Sequence, residues 1–216
     1  MGIDADILAD RRRLKRLLLI WRTLAIVVVV ALAALALGRF GGFDALGGSD
    51  YLARLSVKGI IVDDERRHRL LARVAADRNA KALIVYIDSP GGTVVGGEAL
   101  FSSIRAVAEK KPVVALMGQV ATSAGYMVAI AADRIFAHKG TITGSIGVIL
   151  QATELTGLLE KIGITTEAIK SGPLKAAPSL LEPMTDDVRR VTRALVADIH
   201  TNFVSLVAER RALELD

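Results

Sequence analysis

The sequence contains no cysteine, and aromatic residues make up only 4% of its 216 residues. The lack of cysteine excludes disulfide bonds, thiolate metal sites and a cysteine nucleophile. It leaves the redox compartment open, because a protein without cysteine survives in either environment. Apolar residues, by contrast, make up 52% of the chain. This fraction excludes intrinsic disorder as the main state, and the length suits one domain with an appendage.

The positive charge of the chain is concentrated at its N-terminus. The formal net charge is +5, and residues 1–39 contribute seven basic and three acidic side chains. The remaining 177 residues are almost neutral and contain no long basic stripe. Because nucleic-acid-binding domains gather their basic residues on one face, this distribution and the few aromatics argue against nucleic-acid binding.

A membrane-spanning helix is predicted near the N-terminus. Residues 17–37 read LLLIWRTLAIVVVVALAALAL and contain a single charge. About 20 apolar residues suffice to cross the hydrocarbon of a bilayer. The basic tail formed by residues 1–16 predicts a cytoplasmic N-terminus, with the bulk of the chain on the outer side of a bacterial inner membrane. The alternative is a signal peptide cleaved near residues 34–36. Residues 38–50, which are rich in glycine, are predicted to form a linker.

The pattern of apolar residues changes after residue 50 and predicts an α/β fold for residues 51–216. Helical spacing alternates with short β-branched runs, which is typical of repeated β/α units with mostly parallel strands. The predicted strands are 53–62, 82–87, 112–117, 134–137 and 165–169. The predicted helices are 65–77, 95–109, 124–132, 154–162 and 186–211. A sharp break is expected at residues 88–92, and a turn at 118–123.

Two short stretches could place a nucleophile beside an oxyanion hole. DSPGG, residues 88–92, follows a buried strand, and a glycine pair there allows backbone N–H groups to point into a cleft. Ser123 lies among small residues between a strand and a helix, a setting similar to a strained elbow that exposes a nucleophile. The N–H of Ala124 would then lie near the oxyanion. The alternatives are an ordinary Pro-Gly turn and a serine that only caps the helix.

The residues alone leave the general base open. His68 is expected on a solvated helix face, and His200 is expected to be exposed or at the boundary of the last helix. His138 follows a short strand and could reach a cleft, although a histidine in a loop is usually a surface residue. The lysines that follow the serine are Lys139, Lys161, Lys170 and Lys175. Lys175 has small, uncharged neighbours, and a lysine away from compensating charge loses its proton more easily when it is desolvated. A Ser/Lys pair is a known variant of nucleophilic catalysis, whereas a solvated surface charge is the alternative.

Four motifs occur in the order and at the spacing of a known family. They are DSPGG (88–92), ATSAGY (121–126), TGSIGVI (143–149) and SGPLK (171–175). From about residue 55 to 215, and through its N-terminal span, the chain resembles signal peptide peptidase A, a family of membrane-anchored Ser/Lys peptidases. The resemblance implies the Clp/crotonase-like fold. Because family members normally continue for tens of residues past the long helix, the domain is expected to be incomplete at its C-terminus.

The resemblance also implies the roles of individual residues. Ser123 is implied as the nucleophile, Lys175 as the general base, and Ser145 as the hydroxyl that orients the lysine amine. The implied oxyanion hole is formed by backbone groups at Gly91, Gly92 and Ala124.

The resemblance implies that the protein is a membrane-anchored serine endopeptidase. It would cleave remnant signal peptides and other short, unfolded, apolar segments by acyl transfer, and no metal or organic cofactor is implied. The implied partners are peptide substrates, membrane lipid and further copies of the chain in a homo-oligomeric ring. Two alternatives stay open: a catalytically inactive scaffold or chaperone-like relative on membranes, and a crotonase-like acyl-CoA enzyme.

Overall fold

The computed structural model describes residues 3–39 and 49–214, and the chain divides between Ser49 and Asp50 into two units. The first unit contains one helix, α1 (Ile3–Arg39). Within it, Leu17–Leu35 has a mean hydropathy of 2.5 and is long and apolar enough to cross a membrane, by length and composition. The prediction of an apolar N-terminal helix is confirmed. Most of the predicted linker, residues 40–48, lies outside the described residues.

The second unit is built on a parallel sheet. Four strands lie side by side in chain order: β1 (Tyr51–Ile61), β2 (Ala80–Gly92), β3 (Val113–Thr122) and β4 (Arg134–Ala137). A short fifth strand, β5 (Ile142–Gly144), pairs with the end of β3. All four pairings are parallel, which confirms the predicted α/β fold of repeated β/α units.

Helices make the crossovers between these strands, as parallel pairing requires. The first three are α2 (Glu65–Ala76), α3 (Val94–Ala108) and α4 (Ala124–Ile130), which follow β1, β2 and β3 in turn. Two more, α5 (Thr156–Lys161) and α6 (Asp186–Arg211), come after the sheet. The carboxyl ends of β2 and β3 therefore lead directly into α3 and α4, where ligand sites of open parallel sheets lie.

Side-chain caps fix where α2, α3 and α6 begin, and in α6 the Thr185 side chain accepts from the N–H of Val188. Asp64 accepts hydrogen bonds from the N–H groups of Arg66 and Arg67 at the start of α2. Thr93 accepts one from the N–H of Gly96 at the start of α3. Each cap satisfies a donor that has no partner inside the helix, and so sets the direction in which the chain leaves the sheet.

The core lies on the sheet face that α3 and α4 cover. The side chains in it that are at most 1% exposed include Val57, Ile61, Leu83, Ile87, Leu100, Ile104 and Ile130. The apolar spacing of α3 predicts that Leu100, Ile104 and Val107 face inward, and all three are buried. The apolar spacing of α2 includes both Leu70 and Leu71, but Leu71 is 2% exposed whereas Leu70 is 50% exposed.

Two predicted limits of strands are wrong. Residues 88–92 do not break β2, which continues to Gly92 because its pairing with β1 persists beyond a register shift, with Ile61 opposite Gly92. Residues 118–123 are not a turn, because β3 continues to Thr122 and pairs there with β5. In both cases an adjacent strand supplies hydrogen bonds that override the local preference for a turn, which comes from proline and glycine in residues 88–92 and from glycine in residues 118–123.

The predicted strand at residues 165–169 is also wrong. This stretch has no regular secondary structure, and a side-chain hydrogen bond from Thr166 Oγ1 to the carbonyl of Leu181 holds part of it. A β-branched run forms a strand only where a neighbouring strand completes its hydrogen bonds. The apolar spacing of α6 predicts one inward stripe that includes Val191, Leu195, Ile199, Phe203 and Leu206. The stripe is only partly covered, since Val191 and Leu195 are about half exposed.

Candidate active site

Ser123 lies between β3 and α4 in a strained backbone conformation. Its φ of 53° and ψ of −123° are rare for a residue with a side chain. Its backbone is held on both sides: the N–H donates to the carbonyl of Gly144 at 2.9 Å, and the carbonyl accepts from the N–H of Met127 at 3.0 Å. The Ser123 side chain makes no capping hydrogen bond, which contradicts the helix-cap alternative. The hydroxyl is thus left available for chemistry.

Two glycines of β2 lie where a side chain would not fit. Gly91 has a φ of 119°, and a Cβ there would be 2.8 Å from the Cβ of Ser123. A Cβ on Gly92 would be 1.9 Å from the carbonyl oxygen of Ile61. The N–H of Gly91 already donates to Ser89 Oγ at 3.1 Å, so its contribution is to allow the close approach to Ser123.

A pocket of about 120 Å³ opens beside Ser123. Of the three residues predicted for the oxyanion hole, Gly92 and Ala124 belong to its lining and Gly91 does not. Most of the wall is apolar, and that part is formed by Val94, Met127, Val148, Ile149, Ile199, Phe203 and Leu206. The polar side chains in the lining, besides that of Ser123, are Thr93, Glu98 and Asn202. The site can therefore accept an apolar group next to Ser123, Gly92 and Ala124.

The wall that α6 supplies was missed by sequence reasoning. Ile199, Phe203 and Leu206 were identified only as the inward stripe of a long helix, without a place in the site. Their spacing was a signal of burial, but it carried no information about what they would bury against. Only the fold brings this helix, about 80 residues later in the chain, next to Ser123.

Pairing between β5 and β3 brings Ser145 to the same end of the sheet as Ser123. Thr122 of β3 lies opposite Gly144 of β5. Ser123 and Ser145 are the next residue along each strand. Ser145 has a φ of 51° and is exposed. The two candidate serines therefore both have a positive φ and lie at neighbouring strand ends.

Lys175 does not belong to the residues that line the Ser123 pocket within the described chain. Its side chain is exposed, and its N–H donates to the carbonyl of Gly172 at 3.1 Å in a short turn. The following residue, Ala176, has a φ of 63°. A single copy of the chain thus assembles the serines, the glycine pair and Ala124, but leaves the candidate base outside the pocket.

The other candidate bases lie elsewhere. The expectation that His68 is solvated is wrong: α2 packs on α3, so its Nδ1 is 2.8 Å from Ser103 Oγ and its Nε2 is 2.8 Å from Asp63 Oδ1. His138 lines a separate cleft, and His200 lines a shallow groove beside α6. Lys170 Nζ forms an ion pair of 2.6 Å with Glu182, and no group of three His, Asp or Glu side chains within the described residues could hold a metal ion.

Comparison with known proteins supplies relatives for most of the chain. The protein named "Putative protease slr0021" from Synechocystis sp. is 39% identical over 166 residues, which are 76% of this chain and 60% of that protein. "Serine protease SPPA, chloroplastic" from Arabidopsis thaliana is 39% identical over 143 residues, 63% of this chain and 21% of that one. This chain therefore spans less than two thirds of the length of either relative.

One solved structure has a partly similar arrangement of elements. It is a point mutant of ClpP1 from Listeria monocytogenes, which is 14% identical and aligns with a TM-score of 0.45 over 74% of this chain and 73% of that one.

The model of one family matches residues 105–216, a range that contains Ser123 and all of α6. That range is more than half of the chain, and the resemblance inferred from the four motifs is confirmed. The chain belongs to peptidase family S49.

Proposed function

We propose that this chain is a membrane-anchored serine endopeptidase in which Ser123 is the nucleophile and Lys175 the general base. The observation that supports this best is the state of Ser123, whose strained backbone presents an uncapped hydroxyl beside an apolar pocket. Strained residues of this kind persist at functional sites because the surrounding structure holds them. Membership of family S49 supports a serine peptidase independently of that geometry.

The reaction would be acyl transfer through the serine. The neutral amine of Lys175 takes the hydroxyl proton as Ser123 Oγ bonds to the peptide carbonyl carbon. The N–H groups of Gly92 and Ala124 donate to the resulting oxyanion, and each such donor is worth about 3 to 4 kcal/mol. The leaving amine takes the proton back from Lys175, and a water molecule then hydrolyses the ester. The hydroxyl of Ser145 would hold the lysine amine in position.

Short, unfolded, apolar segments, including remnant signal peptides, fit this site as substrates. The pocket of about 120 Å³ is lined mostly by apolar side chains, and apolar surface gains most from leaving water. The apolar helix Leu17–Leu35 would anchor the enzyme in the membrane where such segments are left. The basic tail before it favours a cytoplasmic N-terminus, with the catalytic unit on the opposite side of the membrane.

The position of Lys175 supports a homo-oligomeric ring in which one copy supplies the lysine to the serine of its neighbour. Lys175 lies outside the pocket of its own chain. The segment that carries it also exposes large apolar side chains, among them Ile149, Leu158, Ile162 and Ile169. Exposed apolar surface of this extent is typical of a protein interface, and a second copy would cover it while completing the site.

Mixing two inactive variants tests both the dyad and its location. Full-length Ser123→Ala and Lys175→Ala chains, each purified in detergent, are expected to cleave a fluorogenic apolar peptide at least 100-fold more slowly than wild type. When the two are co-expressed and purified as one assembly, a dyad formed between copies restores part of the activity. The restored activity comes from sites that pair an intact Ser123 with an intact Lys175.

Lys139→Ala, a change to an exposed lysine outside the motifs, serves as the matched control and is expected to keep wild-type activity. Activity that survives Ser123→Ala would refute the peptidase mechanism. If the co-expressed variants stay inactive, the dyad between copies is refuted. Sedimentation of an active wild-type chain as a monomer would refute the ring.

A further inference from the structure

The C-terminal end of α4 is buried and needs hydrogen-bond donors from outside the helix. All seven residues of α4 are buried, and so are Ala131 and Ala132 after it. The last carbonyls of any helix have no donor within the helix. A buried carbonyl without a partner is strongly destabilising, so this end of α4 depends on groups that other elements supply.

Two arginines from different helices supply these donors. Arg210, in the last turn of α6, donates from Nε to the carbonyl of Ile130 at 2.9 Å and from Nη2 to that of Ala132 at 3.2 Å. Arg105, on α3, donates from Nη1 to the carbonyl of Ala131 at 3.0 Å. Three successive carbonyls at the end of α4 thus each accept from a guanidinium, whose rigid planar donors fix both distance and direction.

A third arginine holds the middle of α4. Arg211 donates from Nη1 to the hydroxyl of Tyr126 at 2.7 Å. Tyr126 lies three residues after Ser123. Helix α6 therefore forms hydrogen bonds with α4 within one turn of Ser123 and also at the C-terminal end of α4. A helix of seven residues is only about 10 Å long and does not bend appreciably. A shift at one end of α4 therefore moves the other end.

We propose that Arg210 is a positioning residue that sets the place of α4, and through it the Ser123 hydroxyl and the Ala124 N–H. This inference rests on the proposed peptidase function. Arg210 does not line the pocket within the described residues. Because the Ser123 hydroxyl and the Ala124 N–H act on the reacting carbonyl, its loss lowers first the rate of the chemical step, where errors of a fraction of an ångström matter. Peptide binding, which depends on the whole apolar wall, changes much less.

The test separates positioning from folding by counting active sites. Full-length wild type, Arg210→Gln and Arg210→Lys are compared in detergent, with active sites titrated to completion by a fluorophosphonate that labels Ser123. Arg190→Gln is the matched control, because Arg190 lies on the same helix in an exposed ion pair with Asp187. Cleavage of a fluorogenic apolar peptide then gives KM and kcat per titrated site.

We expect Arg210→Gln to lower kcat per titrated site at least 10-fold with KM within twofold of wild type. Arg210→Lys keeps the charge but loses the planar donors, so its kcat is expected to lie between that of Arg210→Gln and that of wild type. Arg190→Gln is expected to match wild type. An unchanged kcat per site in Arg210→Gln, even with fewer titrated sites, overturns the inference, because it shows a purely structural role.

Two further outcomes keep the test decisive. If Arg210→Gln does not fold, Tyr126→Phe replaces it, since this change removes the acceptor of Arg211 but keeps the buried ring. A kcat fall of at least threefold at constant KM in Tyr126→Phe supports the inference, and wild-type kcat in both Tyr126→Phe and Arg210→Lys overturns it. Wild type that neither cleaves nor is labelled refutes the peptidase function itself, a result distinct from any difference between variants.

Discussion

At the scale of single residues, Ser123 is defined by the atoms that surround it. Its backbone adopts a φ of 53°, and Gly91 packs so closely that a Cβ there would be 2.8 Å from that of Ser123. Gly92 packs against the backbone of Ile61 so closely that no side chain fits there. Two glycines that look like a turn in the sequence are therefore close-approach positions in a continuous strand.

The two glycines can be tested separately. Gly91→Ala is expected to lower stability by about 1 to 3 kcal/mol, because alanine is strained at a φ of 119°, and to abolish peptide cleavage by displacing Ser123. Gly92→Ala is expected to be at least as destabilising, since its Cβ meets backbone that cannot move aside. Urea unfolding of the full chain and cleavage of a fluorogenic peptide measure the two effects.

Gly140→Ala is the control for this pair. A Cβ on Gly140 has no heavy atom within 4 Å, and its φ lies outside the left-handed region. Stability and cleavage are expected to match wild type. Full cleavage activity in Gly91→Ala would contradict the close packing of Gly91 on Ser123.

At the scale of elements, a hydrogen-bonded cluster joins the start of β1 to the end of α2. The hydroxyl of Tyr51 donates to Asp77 Oδ2 at 2.7 Å, and the N–H of Asn79 donates to Asp77 Oδ1 at 2.8 Å. Lys111 Nζ donates to the carbonyl of Asp77. The hydrogen bond from Tyr51 lowers the pKa of Asp77, and the same bond raises the pKa of Tyr51.

This cluster makes stability depend on pH at both ends of the range. The pKa of Asp77 is lowered in the folded state. The contribution of Asp77 to the stability of the fold is therefore complete when the pH is above its ordinary pKa of 3.8, and it is lost as the pH falls through the lowered pKa. Because the pKa of Tyr51 is raised, its stabilisation is present below the ordinary value of 10.0 and is lost as the pH rises through the raised value.

Asp77→Asn is expected to weaken the pH dependence of stability at both the acid and the alkaline end. Urea midpoints of the full chain measured from pH 3 to pH 11 should change less with pH at the acid and alkaline ends than those of wild type. Asp187→Asn, which removes an exposed carboxylate on α6, is the control and should keep the wild-type profile. Identical profiles for Asp77→Asn and wild type would show that the cluster contributes nothing to the pH dependence of stability in solution.

At the scale of the whole molecule, one apolar helix accompanies an α/β unit. Leu17–Leu35 is apolar over a length that suffices to cross the hydrocarbon of a bilayer. Its length and composition favour a lipid environment.

Retention in the membrane tests this anchor. After alkaline extraction of membranes, the full chain is expected in the pellet, with an intact mass that begins before Leu17. Ile26→Arg, at the middle of the span, should release a large share of the chain, because arginine there costs about 2.5 to 3.5 kcal/mol of insertion free energy. Ile26→Leu is the control and should stay in the pellet. A mature N-terminus after residue 36 would instead support a cleaved signal peptide.

Much of the fold could be predicted from local patterns along the chain. Helices α2, α3 and α6 have their predicted limits to within one residue, because apolar spacing and the residues at helix ends depend on near neighbours. The four motifs predicted which residues belong to the candidate site, and most of these lie together at one end of the sheet. Strand limits were predicted less well, since they depend on whether a partner strand is present.

By itself, therefore, the sequence determined the N-terminal apolar helix, the alternation of β and α elements and the identity of the candidate nucleophile. Only the tertiary structure decided that α6 walls the pocket, that Arg210 reaches Ile130 across 80 residues of chain, and that Lys175 stays outside the pocket of its own copy. The physical reason is that helices and motifs are set by residues close together in the chain, whereas contacts between distant residues are set by how the elements pack.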